Sequence, residues 1–223
     1  MKTIGMNDQK TIRLRIVNTI FTVLLLIGVP CLFPTGALAQ RMASVTAVVQ
    51  PDVPVRRILI AYHSAAGHTQ DMAEAVARGA GRVPGTELRL SRIQDVRPEE
   101  VAQFHAVILG TPVQNANPAP EMLTFIRSWP FEGQPMKNKI GAVFVSAGGI
   151  SAGEELVQMN LIHAMLMFGM VVVGGDDWTS AFGASAVTDE KPFVDKSING
   201  IFIKKAEGLG ERVARAAHDW DPD

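Results

Sequence analysis

From Arg56 onward the chain alternates between short, nearly unbroken apolar runs and longer stretches in which apolar residues recur every three or four positions. The runs are RILIAY (57–62), HAVILG (105–110), IGAVFV (140–145) and GMVVVGG (169–175). Runs without polar alternation suit strands covered on both faces, as in a parallel sheet. TELRLSRI (86–93) does alternate, and this predicts a strand at an edge with one drier face. Between the runs lie helix patterns. Met72, Val76 and Ala80 share one stripe of 69–82, and Met122, Phe125 and Ile126 share one stripe of 119–129, with Pro120 in its first turn. Residues 153–167 are apolar around most of the circumference, which predicts a well-buried helix. Residues 199–218 predict a last amphipathic helix whose middle Gly208 and Gly210 weaken.

This alternation predicts a doubly wound α/β fold: a three-layer sandwich around a five-stranded parallel sheet in the order 2-1-3-4-5. Neither an internal repeat nor a second domain is visible. In that order, ligands bind at the carboxyl ends of the strands, where strand one meets strand three. Three loops of small and amide residues follow strands one, three and four: His63–Thr69, Gly110–Pro118 and Ser146–Gly153. The first carries Ser64, Ala66, Gly67, His68 and Thr69 into a helix, whose N-terminus offers unpaired N–H groups and a positive dipole end. Alone, Ser64 and Thr69 are equally readable as helix caps. Three such loops converging on one crevice favour a ligand.

The chain ahead of Arg56 is different in kind. A basic start leads to IFTVLLLIGV (Ile20–Val29), then Pro30 and Ala37-Leu38-Ala39. These are the three parts of a secretory signal peptide, with cleavage expected after Ala39 and export to the periplasm implied. The alternative is an uncut anchor in Ile16–Phe33, with Asn18, Thr22 and Pro30 inside it. The expected organisation is therefore 1–39 signal or anchor, 40–55 tether and 56–223 domain. Residues 1–39 carry Lys2, Lys10, Arg13 and Arg15 against Asp8 alone, so of 21 basic and 22 acidic side chains 17 and 21 remain, a balance of −4. That argues against nucleic-acid binding. Cys31, the single cysteine, lies in the leader, so the domain has no disulfide, thiolate metal site or cysteine nucleophile. P-loop and H-E-x-x-H motifs are absent.

YHSAAGHTQDMAEAVARGA (62–80), ILGTPVQNANPAPEMLTFI (108–126), VFVSAGGISAGEE (143–155) and FGMVVVGG (168–175) resemble the flavodoxin-like FMN proteins, in particular the NADPH-dependent FMN reductases and WrbA-type quinone oxidoreductases. The resemblance covers roughly 56–218. It implies a flavodoxin-like fold and FMN as cofactor. Ser64, Ala66, Gly67, His68 and Thr69 would hold its phosphate. Pro112, Val113, Gln114 and Asn115 would run along the isoalloxazine, and Ser146, Ala147, Gly148 and Gly149 would face its pyrimidine edge or ribityl chain. It further implies two-electron transfer from a reduced small-molecule donor, NAD(P)H in such proteins, to a quinone-like or flavin acceptor, and assembly as a dimer or tetramer. The membrane enters only through an uncut N-terminus or a quinone pool. A one-electron carrier and a non-catalytic binding module remain the alternatives.

The chain departs from that pattern in several places. VQNANPAP and SAGGISAG hold no aromatic residue to sandwich the ring, and only IQDVRPEEVAQF stands where WrbA-type enzymes carry a longer insertion. Met167-Phe168 replaces their histidine pair, with His163 one turn earlier, read chiefly as a locally satisfied helix residue. Trp178 and Phe182 are expected either to cover the flavin or to pack on the sheet edge. Asp176-Asp177 is expected to be a solvated acidic pair.

Overall fold

The computed structural model describes residues 54–194 and 197–220. The expected leader and most of the tether lie outside the described residues. The elements, in chain order, are β1 (Arg56–Tyr62), α1 (His68–Ala80), β2 (Thr86–Arg92), α2 (Pro98–Val101), β3 (Ala106–Gln114), β4 (Asn117–Pro118), α3 (Pro120–Arg127), β5 (Ile140–Ala147), α4 (Glu154–Met167), β6 (Val171–Val172), β7 (Ala184–Val187) and α5 (Gly200–Asp219). Short 3₁₀ turns occupy Ile93–Asp95 and Trp178–Ser180.

The sheet runs β2-β1-β3-β5-β6, with parallel pairing throughout this path. β2, the alternating segment, is the half-exposed edge. Each central strand feeds two cores by the two-residue period of a pleated chain. Ile58, Ile60 and Tyr62 face the layer of α1 and α5, together with Ile108, Ala142 and Phe144. Leu59, Ala61, Val107, Leu109 and Val143 face the layer of α3 and α4. This two-sided burial explains the unbroken apolar runs. Gly110 is required by the packing: a Cβ there would stand 2.0 Å from the Phe144 ring.

The last strand is not the single run 169–175. Val171–Val172 pairs with Ile140–Gly141, and Ala184–Val187 pairs with Phe144–Ala147, so the fifth position of the sheet is filled in two pieces. Straight continuation would set residue 175 opposite Phe144. Ala184 stands there instead, nine residues later. A second difference concerns α4. A helix lying on one sheet face buries one stripe, here Val157, Gln158, Leu161 and Met165. Leu156, Leu166 and Met167 remain exposed, so the expectation of a well-buried helix does not hold.

The third correction concerns Gly208 and Gly210. α1 and α5 cross so closely that a Cβ on Gly210 would lie 2.0 Å from the Val76 carbonyl oxygen, and one on Gly79 would lie 1.8 Å from that of Glu207. Each helix thus offers a glycine to a carbonyl of the other. Far from simply weakening α5, Gly210 lets α5 reach α1. Beside the crossing, Glu207 pairs with Arg78 and Arg82. These half-exposed pairs are screened by solvent and add little to stability.

Candidate functional site

The three predicted loops meet above the carboxyl ends of β1, β3 and β5. Loop one begins where β1 stops. Ser64 is buried, and its Oγ accepts hydrogen bonds from the Gly67 N–H (3.1 Å) and the Gln70 N–H (3.3 Å). Gly67 takes φ 99°, a left-handed value that favours glycine, and a Cβ there would meet nothing within 4 Å. Among the described residues, the N–H groups of Ala65, Ala66, His68 and Thr69 have no acceptor. They cluster at the N-terminus of a 13-residue helix. The result is a helix N-terminus with unpaired main-chain donors beside open space at Gly67, which suits an anion.

The hydroxyls also have a structural task that the sequence did not imply. Thr69 is 1% and Ser146 6% exposed, and their oxygens share a hydrogen bond of 2.8 Å across 77 residues of sequence. Ser64 and Thr69 therefore brace the loops through their oxygens, Ser64 keeping its own O–H to donate, and the main chain adds further free donors. Loop two is also more ordered than expected. β3 continues through Thr111, Pro112 and Val113 to Gln114, then turns at Asn115 (φ 48°) and Ala116 (φ 60°) into β4. Buried Thr111 accepts from the Ala119 N–H at 3.1 Å and so fixes the base of this hairpin. Gln114 and Asn115 are exposed at its tip.

Loop three closes the arrangement. A Cβ on Gly153 (φ 100°) would come within 2.6 Å of the Ala116 side chain, so the hairpin tip and the start of α4 touch. Ala147 is buried, whereas Gly148 is exposed. Asp189 N–H donates to the Gly148 carbonyl (2.9 Å), and Glu190 accepts from the Ile150 N–H (2.6 Å). Loop three is thereby pinned to the segment after β7. Pro112, Val113, Ser146, Ala147, Gly148 and Gly149 are thus brought onto one rim with loop one. Sequence reasoning missed Ala116, Gln70, Arg92 and Glu190. For Arg92 a signal existed: in the order 2-1-3, the last residue of strand two sits beside loop one.

The other candidates are not drawn in. His163 is exposed on the third turn of α4, and its side chain has no hydrogen-bond partner among the described residues. Phe168 packs tilted against Trp129 and edge-on against Phe131 at the opposite end of the sheet. Trp178 is 87% exposed, so it does not pack on the sheet edge. Asp177 caps the following turn through the Thr179 N–H (2.7 Å), and the Thr179 hydroxyl and main-chain bonds hold its carboxyl below the usual aspartate range. Among the described residues no group of three metal-ligating side chains occurs, and no helix is long and apolar enough to cross a membrane. The shifted bases also lie elsewhere. His105 is pushed down by burial, then by Arg56, Lys139 and Arg57, at the amino ends of the strands.

The residues present fit a phosphate-bearing planar cofactor. Unpaired main-chain donors stand at one end of the rim, with the Pro112–Val113 strand extension and the glycines of loop three at the other.

Comparison with known proteins agrees with this geometry. A family model for NADPH-dependent FMN reductase matches residues 95–185. NAD(P)H dehydrogenase (quinone) 3 of Rhizobium meliloti (strain 1021) is 28% identical, over 72% of this chain and 92% of that protein. A solved flavodoxin, WrbA-like protein from Agrobacterium tumefaciens aligns with TM-score 0.61 at 21% identity, covering 74% of this chain and 99% of that one. A flavodoxin from the domain Archaea aligns with TM-score 0.58 at 22% identity, covering 72% and 98%. The chain thus has a flavodoxin-like fold and is similar in sequence to the NADPH-dependent FMN reductases and to NAD(P)H dehydrogenase (quinone) 3.

Proposed function

We propose that the three-loop crevice binds FMN and that the chain is an FMN-dependent oxidoreductase, moving two electrons from a reduced small-molecule donor, NAD(P)H or a functional substitute, to a quinone-like or flavin acceptor. The observation that carries the reading is the joining of the loops: Thr69 to Ser146 by a buried hydrogen bond, and Ala116 to Gly153 by direct approach. Three unrelated turns would not need such ties. FMN, when bound, supplies the electron-carrying chemistry. The protein's own part is to hold and orient it. The free N–H groups of Ala65, Ala66, His68 and Thr69 hold the phosphate, while Ser64 and Gly67 shape the turn. Pro112, Val113, Gln114 and Asn115 lie along the ring. Ser146, Ala147, Gly148 and Gly149 bound its polar edge. No side chain of the crevice is assigned proton transfer. The absence of aromatic residues from loops two and three favours a reductase over a one-electron carrier, because the open ring face is left for a substrate.

The test is direct. The purified full-length chain is incubated with FMN, desalted and scanned in the visible range. Near-equimolar retained flavin that NADPH or NADH bleaches, and that benzoquinone restores, is the expected result. A folded but colourless protein refutes the reading. Cleavage after Ala39 and export belong to the same proposal, supported by the apolar run Ile20–Val29 and Ala37-Leu38-Ala39. A mature N-terminus other than Gln40 on mass spectrometry refutes the cleavage. An exported form would draw on a reductant other than cytoplasmic NAD(P)H, such as a quinol.

A further inference from the structure

We propose that Arg92 is the positioning residue of the phosphate loop: it clamps both ends of that loop with one guanidinium and supplies the positive charge that loop one lacks. This rests on the reading of the crevice as an FMN site. The loop, HSAAGHT (63–69), contains no lysine or arginine. Parallel pairing sets Arg92, the last residue of β2, opposite Tyr62, the last residue of β1. From there the Arg92 side chain passes the Tyr62 ring, with its guanidinium carbon 5.8 Å from the ring centroid. Nη1 donates to the Ser64 carbonyl at 3.0 Å, and Nη2 donates to Gln70 Oε1 at 2.9 Å. Ser64 is where the chain enters the loop, and Gln70 lies in the first turn of α1.

Two consequences follow from this geometry. First, the Ser64 carbonyl is held toward Arg92. A carbonyl free to turn toward the unpaired N–H groups would present negative charge to an anion. Because Ser64 Oγ already ties the Gly67 and Gln70 N–H groups, both oxygens of Ser64 are committed, and the turn has one shape. Second, the half-buried guanidinium places a permanent cation behind donors that are themselves neutral. Its field adds to that of the helix end in a partly water-excluded setting, where charges act at longer range than in solvent. A planar fork that donates to two acceptors at once is something an ammonium group does not reproduce.

The role makes a distinctive demand on chemistry. Arg92 should matter to the phosphate and not to the ring. Its effect should grow as the phosphate monoester passes from one negative charge to two, near pH 6. The experiment measures Kd for FMN and for riboflavin, which lacks the phosphate, on the full-length wild-type protein and on Arg92→Gln, Arg92→Met and Arg92→Lys, at pH 5 and pH 7.5. Circular dichroism and thermal melting accompany each variant, and Arg92→Gln keeps a donor in place should Arg92→Met fold poorly. In Arg92→Gln and Arg92→Met, FMN affinity is expected to fall by roughly tenfold or more at pH 7.5, about 1.4 kcal/mol per factor of ten, and by distinctly less at pH 5. Riboflavin affinity should stay within about twofold, and Arg92→Lys should recover part of the FMN loss. Equal losses for FMN and riboflavin, or losses independent of pH, would overturn the electrostatic role. Unchanged FMN affinity in every variant would overturn the proposal outright. A wild-type protein that binds neither flavin would overturn the FMN reading itself, and this inference with it.

Discussion

Replacing Gly210 by alanine sets two well-known effects against each other. In an exposed helix interior, alanine is favoured over glycine by about 1 kcal/mol. On sequence alone, Gly210→Ala should therefore stabilise α5. The structure reverses the sign. The new Cβ would lie 2.0 Å from the Val76 carbonyl oxygen and 2.9 Å from the Ala80 nitrogen, both main-chain atoms inside α1. Neither can swing aside, so α1 and α5 must separate, and overpacking of this kind costs about 1–3 kcal/mol. The propensity gain of about 1 kcal/mol offsets part of that, which leaves a net destabilisation of up to about 2 kcal/mol. For a domain of this size this lowers Tm by up to roughly 8 °C. Gly208→Ala is the internal control. Its Cβ would meet Asp176 Oδ2 at 2.3 Å, but this is the end of an exposed side chain that can rotate away. It should be neutral or stabilising by up to about 1 kcal/mol. Thermal denaturation of both variants beside wild type decides the matter. A Tm for Gly210→Ala at or above that of Gly208→Ala refutes the close crossing of α1 and α5.

Three further outcomes are expected. Thr69→Val and Ser146→Ala each leave a buried hydroxyl unpaired and should lower the unfolding free energy by about 1–3 kcal/mol; in the double variant the loss should be less than the sum, and strict additivity in urea titrations would deny the coupling. Burial, followed by Arg56, Lys139 and Arg57, depresses the folded-state pKa of His105, so its contribution to stability is full above the unfolded value of about 6.5 and is lost as pH falls through the folded value; His105→Gln should flatten the Tm–pH profile between about pH 7 and 5, and an unaltered slope would remove His105 as the cause. Glu100 is held below the usual glutamate range by hydrogen bonds from Arg89 and Arg97, so its contribution is present above about pH 4.3 and fades as pH falls through the lowered value; Glu100→Gln should melt below wild type at pH 7, the gap should narrow as pH falls below about 4.3, and a constant difference over that descent would count against the pairing.

Most of the architecture could be read in the sequence because buried parallel strands and one-sided helices have different periods. RILIAY, HAVILG and IGAVFV are buried on both faces, and no other common element produces such short unbroken runs. What remained hidden depends on distant partners. The halves of the last strand are joined only through β5, and no local pattern in VVVGGDDWTSAFGASAV marks where one half ends. Gly210 looks like a weak helix position until α1 is laid across it. The site loops were legible as small-residue turns at strand ends, and the structure gathers them as the order 2-1-3-4-5 requires. The duties of their side chains were not legible. Ser64 and Thr69 read as donors to a ligand, and their oxygens also meet loop N–H groups and Ser146, contacts that follow from packing rather than spacing.

The two-piece strand beside β5 bears on how this domain survives in solution and how it changes over time. A sheet margin with a long row of unpaired amide groups is a template for another chain. Here the margin is formed by two strands of two and four residues, interrupted by a capped turn, so an incoming strand finds no continuous row to copy. The same interruption separates length from alignment. Val171–Val172 and Ala184–Val187 each hold their own register against β5, so segments of other lengths can be inserted between them without displacing either half. Because loop closure grows costlier only slowly with length, residues added at the exposed tip Asp177–Thr179 cost little in closure entropy, whereas Gly174, Gly175 and Gly183 hold the ends of the segment in close packing.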